Sequence, residues 1–182
     1  MNSVLEHIPR ELNAKNIEPA ISDYLLLLNE IPLSIHADNI LGLLTTLKRE
    51  KVEKGPYPHV TLFEAANRIM TDLTILFGVK NLLNGAITEI KFATYKVELG
   101  NEDYNDHDIE ATNGTVSLVG EAFNVSGTFF QGKKTTALRK LRSNANESKM
   151  KVIMYNSDAV NSKYRPNLRE DEFFLPVNIK LN

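Results

Sequence analysis

The sequence predicts an α/β fold, a mixed sheet flanked by helices with a helical hairpin ahead of it, and three observations carry that prediction. Apolar spacing is helical over residues 61–83, changes to a strand period beyond Asn84-Gly85, and is helical again over 128–142. Asn113-Gly114 stands between two alternating segments, the pattern of a tight hairpin. A chain of 182 residues with 42% hydrophobic content can bury one core and is short for two. The expected organisation is a helical segment over 1–55 packed on an α/β core over 56–182, together one compact domain.

In chain order, Ile17, Ala20, Ile21, Tyr24 and Leu28 follow the helical i, i+3, i+4, i+7 pattern and predict a helix over 16–29. Pro32 breaks it. Helical spacing resumes over 37–53 with Ile40, Leu43, Leu44 and Leu47 on one face, and the turn residues Gly55, Pro56, Tyr57 and Pro58 close the hairpin. The helix over 61–83 starts at a capping box, Thr61 with Glu64. Arg68, four residues from both Glu64 and Asp72, reads as ordinary helix ion pairing. Gly78 offers an interruption near the end, and Asn84 with Gly85 stops the helix. Residues 88–99 are rich in β-formers, with a shift of apolar parity at 93–95 of the kind a bulge produces. Residues 106–112 and 115–125 flank the Asn113-Gly114 turn, 151–156 read as a short buried strand, and 173–181 as a final edge strand.

Composition excludes several chemistries. With no cysteine there are no disulfides, thiolate metal sites or cysteine nucleophiles, in agreement with a reducing compartment. The first residues lack a signal-peptide pattern, and the longest apolar run, 24–28, is far short of the roughly 20 residues of a membrane helix; a cytoplasmic location with no membrane partner is expected. No glycine-rich phosphate loop is present, no serine lies in a nucleophile-elbow context, and His7, His36, His59 and His107 lack partners at metal spacing. Net charge is only −2, but its distribution is uneven. Residues 133–151 carry Lys133, Lys134, Arg139, Lys140, Arg142, Lys149 and Lys151 against one acid, Glu147, whereas 98–110 are strongly acidic. A basic segment beside an acidic pocket suits metal-dependent phosphodiester chemistry, because lysines hold the backbone and carboxylates the cation. It equally describes a solvated helix beside an acidic loop.

A two-residue turn at Asn113-Gly114 sets Thr112 opposite Thr115, Asp108 opposite Val119 and Asp106 opposite Glu121. Ile109, Ala111, Val116, Leu118 and Ala122 then share a core face, while Asp106, Asp108, Glu110 and Glu121 project from the other. Asp108 and Asp106 are near enough to Glu121 to grip a common ion. Carboxylates so placed repel one another unless a cation or protons offset them, and with oxygen ligands alone Mg²⁺ or Mn²⁺ is the natural ion. The plainer alternative is a hydrated acidic loop without metal. His107 adjoins these acids and is a further candidate ligand or base.

The order of parts over 60–156, helix with a glutamate, strand, strand with an acid, strand with a second acid, helix, strand, resembles the αβββαβ core of the PD-(D/E)XK superfamily, the restriction-endonuclease-like nucleases. The resemblance covers just over half the chain. It implies that Asp108 in HDIEATNG is the first motif acid, Glu121 in GEAF the second, and Glu64 the helical glutamate that assists the metal; the capping box is the other account of Glu64. The motif lysine is absent, since Phe123 stands two residues after Glu121. Lys134 falls in the apolar sector of the following helix and is the candidate to replace it, with Gln131 one turn earlier; the alternative is a lysine snorkelling at the core edge. Lys133, Arg139 and Arg142, with Gln131, are the candidate nucleic-acid contacts. The implied function is Mg²⁺-dependent hydrolysis of DNA phosphodiester bonds, with a second copy as the implied partner and the N-terminal hairpin as a dimerisation or DNA-positioning element. A nuclease fold that has lost catalysis and binds nucleic acid or protein, and an unrelated α+β binding domain, are the competing readings.

Overall fold

The computed structural model describes residues 4–31, 36–100, 105–143 and 149–180. Six strands, β1 (Glu11–Asn13), β2 (Thr94–Val97), β3 (Ile109–Thr112), β4 (Ser117–Phe123), β5 (Lys149–Asn156) and β6 (Glu172–Val177), form one sheet in chain order. The pairings from β1 to β4 are antiparallel and those from β4 to β6 parallel, so the sheet is mixed. Four α-helices flank it: α1 (Ile17–Leu28), α2 (Ile40–Arg49), α3 (Leu62–Leu83) and α4 (Gly127–Ser143).

Alternation along β4 and β5 explains the layering, because successive side chains point to opposite faces. Leu118, Ala122, Val152 and Met154 join the core under α1 and α3, which also takes Leu76 and Val79 of α3. Val119, Phe123, Ile153 and Tyr155 join a second cluster under α4, built on Phe130, Ala137 and Leu141. Both faces of the central strands are thus covered, and the crossover from β4 to the parallel β5 is α4 itself.

Helix α3 begins where the sequence indicates, with Thr61 Oγ1 accepting from Glu64 N–H at 3.2 Å. The reciprocal half of the capping box is not made, because Glu64 Oε1 accepts from Arg68 Nη2 at 2.6 Å. The helix runs through Gly78 without interruption. A side chain there would overlap Met154 Sδ, so this glycine lets α3 lie close on β5.

Elsewhere the structure departs from expectation. The strand expected over 88–99 pairs only at Thr94–Val97. Ile90 and Phe92 ahead of it are buried from irregular backbone, and Phe92 packs edge-on to Tyr95 with ring centroids 6.1 Å apart. The parity shift marks the start of the strand, not a bulge. Strand β1, three residues long, is too short to register as an alternating pattern. The two N-terminal helices each pack against α3, and α2 buries none of its residues, leaving Ile40, Leu41 and Leu44 exposed. Pro32, Glu147 and Leu181 lie outside the described residues.

The hairpin register also differs. Asn113 Oδ1 accepts from Thr115 N–H at 3.1 Å and from Val116 N–H at 2.9 Å, and Asn113 N–H donates to Val116 O at 3.2 Å. This side-chain turn, with Gly114 at φ 88°, makes a four-residue connection, and Thr112 faces Ser117 instead of Thr115. A slip of two residues keeps every side chain on its face. Ile109, Ala111, Leu118 and Ala122 are therefore core as expected, while Val116 sits in the turn and is exposed.

Candidate active site

The altered register brings the two principal acids closer together across the sheet. One step beyond the Ile109–Gly120 pair, Asp108 stands opposite Glu121, in place of the diagonal placement that a two-residue turn gives. Asp108 is fixed at both ends: its carbonyl accepts from Glu98 N–H at 2.9 Å, and its Oδ2 accepts from Ala122 N–H at 2.7 Å. Burial pushes its carboxyl up to about 6, helped by the Glu121 charge and opposed by the Ala122 amide, Lys140 and His107.

Glu121 is 8% exposed and has two cationic or proton-bearing neighbours. His107 Nδ1 lies 2.8 Å from Oε1; a carboxylate only accepts, so Nδ1 carries the proton and donates. Lys140 of α4 places Nζ 2.8 Å from Oε1 and 3.0 Å from Oε2. Its side chain is half-exposed, so this ammonium reaches the acid from the solvent side. Asp108, His107 and Lys140 line a cleft of about 310 Å³ whose opposite wall is α3, with Asn67, Arg68 and Asp72. The Arg68 guanidinium stacks over Tyr57 with 5.5 Å between its carbon and the ring centroid.

Of the residues singled out from sequence, Asp108, Glu121 and His107 come together and the rest do not join them directly. Asp106 is exposed in the bend before β3 instead of paired across from Glu121. Glu64 reaches the cleft only through its pairing with Arg68. Lys134 is turned away: its Nζ donates to Tyr164 Oη at 3.1 Å, beside the second core cluster. Arg142 makes a two-pronged contact with the buried Glu172, at 2.6 and 2.8 Å, and ties α4 to β6 as a structural pair. Gln131, Lys133 and Arg139 are exposed on α4. Lys140, not Lys134, is the lysine that meets the second acid. It lies three residues beyond the buried Ala137, on the opposite flank of the apolar stripe from Lys134. Periodicity places both lysines at the edge of the stripe but does not say which edge faces β4.

A second buried acid was not singled out as a site. Asp72 of α3, 3% exposed, accepts from Tyr24 Oη at 2.6 Å, from Tyr57 Oη, and from Gly100 N–H at 3.3 Å. Burial pushes it up to about 6 against the pull of these donors. The expected ion pair with Arg68 is therefore replaced by phenol hydrogen bonds.

Among the described residues no group of three or more histidine or acidic side chains is arranged to hold a metal ion. The pair Asp108 and Glu121 still suits Mg²⁺ or Mn²⁺, because a small hard cation keeps most of its waters and takes one or two carboxylates. Burial first and the Glu121 charge second raise the Asp108 carboxyl, so a cation at this pair would compete with protons for it. Among the described residues no helix is long and apolar enough to cross a membrane. No protein-family model, curated protein or solved structure matches this chain.

Proposed function

We propose that the chain is a metal-dependent phosphodiesterase of the restriction-endonuclease-like type, acting on DNA. The observation that carries the reading is Lys140 on the buried Glu121 beside Asp108, with Lys140 and Asp108 lining one cleft. Supporting it is the order of α3, β2, β3, β4, α4 and β5, which follows the αβββαβ core that the motif positions suggest. In this reading Lys140 takes the role of the missing motif lysine, supplied from α4 where β4 carries Phe123.

The roles follow from the contacts. Asp108 and Glu121 would hold the ion, Asp108 with one oxygen already fixed by Ala122 N–H and Glu121 oriented by His107. A bound Mg²⁺ would supply charge neutralisation and a water of lowered pKa. Lys140 carries its ammonium to the attacking side, where it orients water or offsets phosphate charge. Arg68 and Asn67 face the same space from α3 and are placed to hold phosphate oxygens. A second copy is the expected partner, and α2, with its exposed Ile40, Leu41 and Leu44, offers the surface.

One observation favours a second reading, a nuclease fold that binds without cleaving: the Lys140 ammonium already satisfies both Glu121 oxygens where a cation would sit. Titration calorimetry with Mn²⁺, followed by a plasmid and oligonucleotide cleavage assay, separates the two. Binding lost in Asp108→Ala, with cleavage lost in both Asp108→Ala and Lys140→Ala, is the expected result. Cleavage unchanged in Asp108→Ala would sink the assignment, and Mn²⁺ binding without any cleavage would favour the second reading.

A further inference from the structure

Beyond the carboxylate cleft, a larger groove of about 850 Å³ crosses the carboxyl end of β4. Asn67, Thr71 and Asp108 line both cavities, so the groove runs directly into the candidate active site. Its walls are unusual for a surface. Phe129 of α4 is 67% exposed and Phe63 of α3 is 49% exposed, and both face the groove. Large apolar rings left in water are unfavourable, and two of them on one groove mark a contact surface.

The two rings are not equivalent. Phe63 has one face covered by Lys48 of α2, whose Nζ lies 4.2 Å from the ring centroid. Phe129 has no described ring or cation partner, and Lys133 stands one turn beyond it on the same wall. Between them is Gly132, where a side chain would meet nothing within 4 Å. Glycine inside a helix is unfavourable, so leaving this position without a side chain costs helix stability and keeps the groove open.

We infer that this groove holds an unpaired nucleotide of a single-stranded nucleic acid, with its base stacked on Phe129 and its flanking phosphates toward Lys133 and the Asp108 cleft. An aromatic platform beside a lysine matches the two parts of a nucleotide, a flat π-face and an anion, and base stacking is tolerant of sequence. In an intact duplex the base faces are covered by their neighbours, so Phe129 can be used only by a single strand, a frayed end or an extruded base. Continuity with Asp108 then puts the phosphate next to the stacked base beside Asp108. The inference names the substrate form for the proposed phosphodiesterase and rests on that reading for cleavage, though not for binding.

The test is fluorescence anisotropy of the full chain with a labelled twelve-nucleotide oligothymidylate in EDTA, against an unlabelled oligouridylate and a duplex of equal length. Variants are Phe129→Ala, which removes the platform, and Gly132→Leu, which fills the groove at a position that accepts a side chain and favours helix. Each is expected to weaken oligothymidylate binding by roughly fivefold to a hundredfold, with duplex binding weaker than single-strand binding and indifferent to both changes. Oligouridylate competing better than unlabelled oligothymidylate assigns the groove to RNA and supports the inference. Single-strand binding unchanged in both variants overturns it. Binding of neither oligonucleotide also overturns it and leaves an apolar polypeptide as the occupant. Phe129-dependent binding without Mn²⁺ binding or cleavage retains this inference and removes the catalytic one; duplex cleavage indifferent to Phe129 does the reverse.

Discussion

Asp72 and Asp108 line the same cleft, are both withdrawn from water and are both pushed up to about 6, yet their surroundings differ in kind. Asp72 is enclosed by donors: two phenols and a backbone amide meet its oxygens, and its carboxyl is raised by burial alone. Asp108 has one amide on Oδ2 and another acid as its neighbour, so a like charge adds to burial. Burial with matched neutral donors is how a fold fixes an acid in place. Burial beside a second acid is offset by Lys140 and His107, both of which contact Glu121.

The two acids differ most in what they contribute to stability. Asp72→Ala leaves the Tyr24 and Tyr57 hydroxyls buried without their acceptor and unties α1 and the 55–58 turn from α3. It is expected to cost about 3 kcal/mol in urea denaturation. Asp108→Ala removes one amide contact and one member of a repelling pair, so its cost is expected to be under about 1 kcal/mol. Equal losses in the two variants would show that Asp108 is as structural as Asp72.

Much of this arrangement was legible in the sequence, and the failures have local causes. Alternation over residues 115–125 sorted Leu118 and Ala122 from Glu121 correctly, because a register slip of two leaves faces unchanged. What it could not supply was the Asn113 side chain closing a longer turn, which moved Asp108 from diagonal to opposite. Helical spacing gave α1, α2, α3 and α4, but α2 shows that an apolar stripe does not ensure burial. Choosing Lys134 over Lys140 required knowing how α4 is rotated on the sheet, and that depends on Phe130 packing against Tyr155 and Tyr164, partners 25 and more residues away in the chain. The Tyr24–Tyr57–Asp72 cluster joins three segments distant in sequence and leaves no periodic trace.

The next test is pH. Both acids have folded-state values above their ordinary ones, so the protonated form is favoured in the fold. Each therefore contributes stability that is full below the ordinary carboxylate range and is lost as pH rises through about 6. Glu172 and Asp171, whose carboxyls are held low by Arg142 and Lys151, act in the opposite direction. Each raised acid is therefore read as the difference between wild type and its Asp→Asn variant from pH 4 to pH 8, and that difference is expected to fall by about 2 to 3 kcal/mol. Asp108→Asn is expected to flatten the part due to Asp108. Mn²⁺ should raise stability at pH 8 in the wild type and not in Asp108→Asn, and its affinity should drop as pH falls below about 6, because protons and cation compete for the same carboxylate. A profile that does not respond to Asp108→Asn, or a metal effect surviving in that variant, would remove the distinction between the two acids.

The smallest expected effect comes from a third buried phenol. Tyr95 of β2 is fully buried, like Tyr24, but its hydroxyl meets no hydrogen-bond partner among the described residues. Burial pushes the hydroxyl up to about 12, opposed by the Phe92 backbone amide, which approaches the oxygen without reaching hydrogen-bond geometry. Removing a hydroxyl that has an acceptor and removing one that has none should differ in sign. Tyr24→Phe loses a charge-assisted bond to Asp72 and is expected to cost about 1.5 to 3 kcal/mol. Tyr95→Phe removes an unsatisfied buried group and is expected to be neutral or to stabilise by up to about 1 kcal/mol. Parallel urea titrations at pH 7 measure both. A loss in Tyr95→Phe comparable to that in Tyr24→Phe would mean that the donor geometry around Asp72 is not what separates its phenols from the rest of the core.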